Sequence, residues 1–494
     1  MYYYSTRDTK RTHGYTSAEA IKKGLADDGG LFVPETIPSL SKDDIIEMCS
    51  LPYHVRAARI LSAFLTDYTY EELLSDCEKV YSPTSFVGGA APLNHIEDNI
   101  YTLELWHGPT AAFKDMALQI MPRLLSRALV KTDEKYTTLI LVATSGDTGK
   151  AALEGYKDIP GIKIMVYYPV DGVSSVQKLQ MATQLGNNVN VCAIKGNFDD
   201  AQSGVKKIFS DNDMARRLES KGYILSSANS INWGRLAPQI VYYVSAYCDL
   251  LREGRIGFGE KINVCVPTGN FGNIFAAYIA REMGLPIGKL ICASNQNNVL
   301  TDFFNRGEYN RQREFHTTMS PSMDILISSN LERLLYFTAG PSATAELMDK
   351  LKKEGKYSVD ANIMQTISKD FCGYYADERA TAYTIKSCYE INGKLIDTHT
   401  AVAMHCAKRY ISESGDDSVM VVASTASPYK FAADVYASIK GKKPTDDLAA
   451  LEMLSNETKT EIPYPLKDVA SREIRFKETI GVSDMAEKVL EFAQ

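Results

Sequence analysis

Six short runs of aliphatic and β-branched residues recur along the middle of the chain: Thr137 to Thr144, Ile162 to Tyr168, Val189 to Ile194, Tyr223 to Ser227, Ile262 to Val266 and Lys289 to Ser294. Each is followed by a helix-length mixture of polar and apolar residues. This rhythm leaves little freedom in the fold. Strands apolar at successive positions must be buried on both faces, and strands separated by helices pair in parallel through crossovers. The expectation is therefore α/β, with open, mostly parallel sheets carrying helices on both faces. A further buried run, Ser418 to Ser424, lies far downstream. Ligands of such sheets bind outside the carboxyl ends of the strands, so the loops there are the first places to look for chemistry.

Three of those loops carry unusual composition. Pro267-Thr-Gly-Asn-Phe-Gly-Asn-Ile274 joins a strand to an amphipathic run. Gly269 and Gly272 let the backbone curl until several N–H groups face one point at a helix N-terminus, which makes an anion cup without cationic side chains. The loop lacks the dinucleotide G-x-G-x-x-G pattern. Ala143-Thr-Ser-Gly-Asp-Thr-Gly149 offers hydroxyls at Thr144, Ser145 and Thr148 and suits a carboxylate, although Asp147 could equally cap the helix that follows. Ser226-Ser-Ala-Asn-Ser-Ile-Asn-Trp-Gly-Arg235 supplies Asn229, Ser230 and Arg235, a set suited to a phosphate, with the arginine bidentate. A fourth loop, Ala423-Ser-Thr-Ala-Ser-Pro-Tyr-Lys430, puts Thr425 directly after a strand, where its hydroxyl can meet a heterocycle nitrogen.

Upstream of these loops, the turn His107-Gly108-Pro109-Thr110 leads into Lys114, which is flanked by Phe113, Met116, Ala117 and Leu118. An unperturbed lysine has a pKa of about 10.4 and is a protonated non-nucleophile at neutral pH; apolar surroundings lower that value. Lys114 is thus a candidate Schiff-base lysine. The competing reading is a lysine whose stem covers apolar surface while its ammonium stays in water.

The first hundred residues read as a separate, mainly helical module, with capping boxes at Thr16-Ser-Ala-Glu19 and Thr69-Tyr-Glu-Glu72 and no chemical constellation. Ser329-Asn-Leu-Glu332 reads as another capping box, Asp360 to Tyr389 as helices over the sheet, and Ser483 to Phe492 as a final helix. Pro122 should kink or delay the helix after Lys114. The expected divisions are an N-terminal module over 1–94, a core over 95–435 with an inner lobe near 125–226, and a tail over 436–494 packed on the core. A net charge of −7 gives no footprint for nucleic acid, and no apolar run is long enough for a membrane span. The nine cysteines are scattered and never spaced C-x-x-C, which fits a reducing cytoplasm and small core residues. No metal ligand cluster is expected at His399 and His405.

Taken together, Tyr4-Ser-Thr-Arg7, Ser17 to Pro34, His107 to Thr110 with Phe113-Lys-Asp115, Thr144 to Gly149, Ser227 to Asn232 and Gly269 to Gly272 resemble the threonine synthase family. These are pyridoxal-phosphate enzymes of the tryptophan-synthase β-chain structural class. The likeness spans nearly the whole chain and is to the longer form of the family, which carries an extra N-terminal module. It implies two α/β lobes with pyridoxal 5'-phosphate between them, held by Lys114 as a Schiff base. It also implies that Gly269, Asn270, Phe271, Gly272 and Asn273 wrap the cofactor phosphate and that Thr425 faces the pyridine nitrogen. Ser145, Gly146, Asp147 and Thr148, with Thr144 beside them, would receive the substrate carboxylate and the cofactor edge, and Asn229, Ser230 and Arg235 the substrate phosphate. Many members read Thr-Ala-His-Pro where this chain has Thr425-Ala-Ser427-Pro428, so a histidine role there has no counterpart.

The reaction implied is conversion of O-phospho-L-homoserine and water to L-threonine and phosphate by a cytoplasmic monomer or homodimer. The alternatives are a phospho-lyase or dehydratase on the same scaffold and, from another class, a non-catalytic metabolite-binding protein on a degenerate enzyme fold.

Overall fold

The computed structural model describes residues 1–494 apart from Ser145, Asp171, Gly172 and the side chain of Asp199. Two parallel sheets form its frame. The larger has six strands in the order Phe371–Tyr375, Ile287–Ser294, Ile262–Pro267, Met420–Ser424, Ile100–Glu104 and Leu93–Glu97. Only its last pair is antiparallel. The smaller has five parallel strands in the order Thr479–Gly481, Val189–Lys195, Ile162–Pro169, Thr137–Ala143 and Tyr223–Ser226. All seven expected strands are present. Every residue of Ile262–Pro267 is buried, as a central parallel strand covered by helices on both faces requires.

Four strands of the two sheets lie outside those seven, among them the antiparallel pair Leu93–Glu97 and Ile100–Glu104 at one edge of the larger sheet. Phe371–Tyr375 lies inside the stretch read as helices, yet it pairs in parallel with Ile287–Ser294 at the sheet edge. Its aromatic and small residues carry too short a run to stand out against flanking helical periodicity. The tail also does more than pack: Thr479–Gly481 becomes the edge strand of the smaller sheet. The helix Met485–Phe492 follows it, and Tyr167 donates to the Met485 carbonyl at 2.9 Å.

The helix Trp233–Arg252 is apolar almost all round and runs through the interior, where it meets the N-terminal helices and Gly272–Glu282. Arg56 ties it to the N-terminal module through Ser245 Oγ at 2.7 Å and Asp249 Oδ1 at 2.8 Å. In that module the capping boxes at Thr16 and Thr69 both form. The one expected at Ser329 does not: the helix Leu331–Glu354 starts after Asn330 without a side-chain cap. Glu332 instead accepts from Arg7 Nε and Nη2 at 2.8 and 2.7 Å and from Thr6 Oγ1 at 2.5 Å. A paired guanidinium outcompetes a helix-capping N–H for a carboxylate. Helix Met121–Lys131 begins late, with Pro122 in its first turn, where a missing N–H costs nothing.

Candidate active site

Lys114 is placed by backbone pairing at the end of a central strand. Beyond Met420–Ser424 the chain continues extended, so that Phe113 N–H donates to the Thr425 carbonyl at 2.8 Å and Ser427 N–H to the Ala111 carbonyl at 3.1 Å. Lys114 and Thr425 are therefore held side by side by main-chain bonds. Directly after Lys114 comes a single helical turn, Asp115–Leu118. Asp115 turns inward to accept from the Thr110 N–H and hydroxyl, each at 2.8 Å, which locks the preceding turn. Burial pushes its carboxyl up to about 6.

The Lys114 ammonium lies 3.3 Å from Ser322 Oγ and 3.6 Å from Asp147 Oδ2. Burial is the main reason its pKa falls below the ordinary lysine range; Asp147 opposes the shift, and the charges of Lys430 and Arg235 add to it. The Lys114 side chain is 11% exposed, so its amine does not stand in open water.

Ser322 also touches the glycine loop. A Cβ on Gly269 would sit 2.6 Å from the Ser322 carbonyl oxygen, so the lysine and the loop share one neighbour. Phe271 takes a left-handed conformation with φ of 64° immediately before the helix Gly272–Glu282, and this curls the N–H groups of the first turn toward the loop. The loop is braced from outside: the Asn270 carbonyl accepts from Asn330 N–H at 3.1 Å and Nδ2 at 2.9 Å, and the Gly269 carbonyl accepts from Ser328 Oγ at 2.6 Å. Asn273 Oδ1 accepts from Tyr242 and Tyr243, while its buried Nδ2 has no partner among the described residues. An unpaired buried donor beside a helix N-terminus and an enclosed amine fits a phosphate-bearing aldehyde.

Gly269→Ala tests that cup. The added methyl meets a backbone carbonyl that cannot swing aside, and overpacking of this kind costs about 1–3 kcal/mol. Pyridoxal-phosphate affinity of the apoprotein is expected to fall roughly five- to 150-fold, read by absorbance titration. Unchanged affinity would show that the loop does not hold the phosphate.

In the second loop Gly146, with φ of 140°, precedes the helix Asp147–Tyr156. A Cβ there would lie 2.5 Å from Gln177, so the position demands glycine on both counts. Thr144 Oγ1 accepts from the Gly146 and Gly149 N–H groups at 3.0 and 2.9 Å, which makes it a brace beneath the loop; Thr148 is partly exposed at its rim. Ser145 lies outside the described residues. Asp147 is not a helix cap. Its Oδ1 accepts from Gln177 Nε2 at 2.8 Å and lies 2.7 Å from Lys430 Nζ.

The third loop separates its members. Arg235 is buried, with Nη1 donating to the Ala228 carbonyl at 2.9 Å and Nε without a partner among the described residues, whereas Asn229 is exposed and Ser230 only partly buried. Among the described residues no carboxylate pairs with Arg235, and burial lowers its pKa to about 10. A desolvated guanidinium without a counterion is a standing demand for an anion.

Sequence reasoning missed Lys430, Ser322, Gln177 and the buried pair His399–Asp397. His399 Nδ1 lies 3.0 Å from Asp397 Oδ2, and Nε2 accepts from the Ser322 N–H at 3.1 Å. For Lys430 one signal was available, a lone cation inside the apolar run Pro428-Tyr-Lys-Phe-Ala-Ala433. Ser322 and His399 are brought to Lys114 only by the fold.

Comparison with known proteins agrees across the chain. Family models described as "Threonine synthase N terminus", "Pyridoxal-phosphate dependent enzyme" and "Threonine synthase, C-terminal" match residues 2–81, 83–425 and 400–488. The Homo sapiens protein named threonine synthase-like 1 is 40% identical over 86% of this chain, but the match spans only 58% of that protein's length. A threonine synthase of Pseudomonas aeruginosa is 38% identical over 95% of this chain and 97% of its own. Among solved structures, pyridoxal-phosphate-bound threonine synthase from Brucella melitensis superimposes with a TM-score of 0.88 at 34% identity, covering 100% of both chains.

Proposed function

The chain belongs to the threonine synthase family of pyridoxal-phosphate dependent enzymes, and on that premise we propose that it is a lyase converting O-phospho-L-homoserine and water to L-threonine and phosphate. The observation that carries the substrate reading is Arg235: a buried guanidinium without a carboxylate, close enough to Lys114 for its charge to disfavour the ammonium. A substrate bearing a phosphate on the carbon chain next to the reacting centre supplies the missing anion.

Lys114 would carry the cofactor, the N–H groups of Gly269 to Asn273 its phosphate, Thr425 its ring nitrogen and Asp147 its edge. When bound, pyridoxal phosphate supplies delocalisation for the negative charge that develops at the substrate Cα. Lys114 Nζ, once free, would take the Cα proton and return a proton later, and the burial that lowers its pKa favours the free base needed for this. The Thr144 to Thr148 loop orients the substrate carboxylate, and Asn229, Ser230 and Arg235 hold the phosphate as it leaves Cγ. Cβ loses a proton as phosphate leaves, Cγ gains one to become the methyl group, and water adds its hydroxyl at Cβ while its proton passes to the phosphate retained beside Arg235, which assists that addition.

The test is a product assay with O-phospho-L-homoserine. Threonine and inorganic phosphate are expected in equal amounts. 2-Oxobutyrate in place of threonine would assign the chain instead to phospho-lyase or dehydratase chemistry.

A further inference from the structure

Lys430 is fully enclosed, and three acceptors surround its ammonium: Asp147 Oδ1 at 2.7 Å, the Thr110 carbonyl at 3.1 Å and Gln180 Oε1 at 3.2 Å. All three of its N–H groups are thereby used, so it has none to offer a ligand. Gln177 Nε2 donates to the same carboxylate oxygen at 2.8 Å, which saturates Oδ1 and leaves Oδ2 turned to Lys114 at 3.6 Å. Asp147 therefore lies between two ammonium groups with different duties. We propose that Lys430 is a positioning residue for the reaction, a permanent counterion that keeps Asp147 anionic and aimed at Lys114 Nζ while Lys114 gives up and regains its proton. The proposal rests on Lys114 being the tethering lysine.

The physical need follows from burial. Whenever Lys114 is neutral, Asp147 without Lys430 would be a buried carboxylate lacking a cation, and it would take up a proton itself. Burial alone would raise the Asp147 carboxyl; Lys430 first and Lys114 second hold it well below the usual carboxylate range. The other charged or titratable groups around the cluster are otherwise engaged. Asp115 is bonded to Thr110 and Gln119, the Asp397–His399 pair sits behind Ser322, and Arg235 donates to the Ala228 carbonyl. None can replace Lys430 as partner to Asp147.

The experiment compares holoenzyme of the unmodified protein with Lys430→Met, reading the pH midpoint of the bound-cofactor absorbance. Without Lys430, Asp147 and the nitrogen of Lys114 share a proton that no neighbouring ammonium disfavours, so it is held more tightly and the midpoint is expected to rise by about one pH unit or more. Lys150→Met is the control, since Lys150 is another buried lysine, on the same helix as Asp147 and paired with Glu154 at 3.0 Å; its midpoint should stay unchanged. A purely structural role would lower thermal stability in both variants without moving either midpoint. A folded, loaded Lys430→Met protein whose midpoint lies within about 0.2 units of the unmodified one overturns the proposal.

If Lys430→Met does not fold, Lys430→Met combined with Asp147→Asn decides the matter, because removing both charges leaves neither uncompensated. Recovery of folding in the double variant supports the pairing. A double variant no more stable than the single one shows that Lys430 acts through Thr110 and Gln180, and overturns it. Borohydride reduction with peptide mapping separately reads the tether: cofactor mass on a lysine other than Lys114 refutes that assignment rather than the Lys430–Asp147 pairing.

Discussion

A Lys114→Ala protein is expected to retain no cofactor after borohydride reduction and to lose turnover of O-phospho-L-homoserine. Losing a general base alone costs roughly a hundred- to ten-thousand-fold in rate, and here the same side chain also supplies the covalent tether. The two losses are separable. Pyridoxal phosphate still has the backbone cup at Gly269 to Asn273, so noncovalent binding should persist at higher concentration while the reduced adduct is absent. Mass spectrometry after reduction reads the first, and phosphate release in single-turnover experiments reads the second. Persistence of either the adduct or normal turnover would remove Lys114 from the centre of the mechanism. Folding should be little affected, since among the described residues the Lys114 ammonium meets Ser322 Oγ at 3.3 Å and Asp147 Oδ2 at 3.6 Å, and Asp147 keeps Lys430 as its partner.

The second large effect is expected at Arg235→Ala, and here function and stability should part company. Two charge-assisted bonds to a phosphate are worth about 1.5–3 kcal/mol each, so kcat/KM should fall roughly 10²- to 10⁴-fold. Removing a buried guanidinium that has no carboxylate partner among the described residues relieves a desolvation cost, so the melting temperature should hold or rise even though Ala228 loses a donor. The split between kcat and KM is informative. A rise in KM with kcat intact would confine Arg235 to uniform binding and exclude assistance by the retained phosphate in adding water; a fall in kcat at saturation supports that assistance. A variant that loses activity only because it unfolds would contradict the placement of this arginine as a group poised for a ligand.

Much of this arrangement was legible in the chain. Leu139 to Val142 and Ile262 to Val266 are runs that no exposed strand could carry, and they are interior strands of the two sheets. Glycines at 146 and 269 mark places where a side chain would collide with Gln177 and Ser322, so residue type alone signals close approach. Lys114 stood out because its apolar neighbours and its turn are local. By contrast, the edge strands Phe371–Tyr375 and Thr479–Gly481 exist because a partner strand already offers unpaired N–H and carbonyl groups; their own sequences are too short to specify them. The Glu332 carboxylate shows the same limit: a capping spacing is a local signal, and Arg7, 325 positions away, supplied a stronger partner.

By itself, then, the order of residues determined which segments become buried strands, which loops curl at their carboxyl ends and which amine sits among apolar neighbours, because hydrophobic periodicity and backbone sterics act over a few residues. Only the tertiary structure decided what that amine meets. Ser322, Asp147 and Arg235 arrive from separate elements, Lys430 reaches Asp147 across 283 positions (430 − 147), and His399 backs Ser322 across the interior. Charge interactions depend on distance and on the exclusion of water, and neither is defined until distant segments pack together.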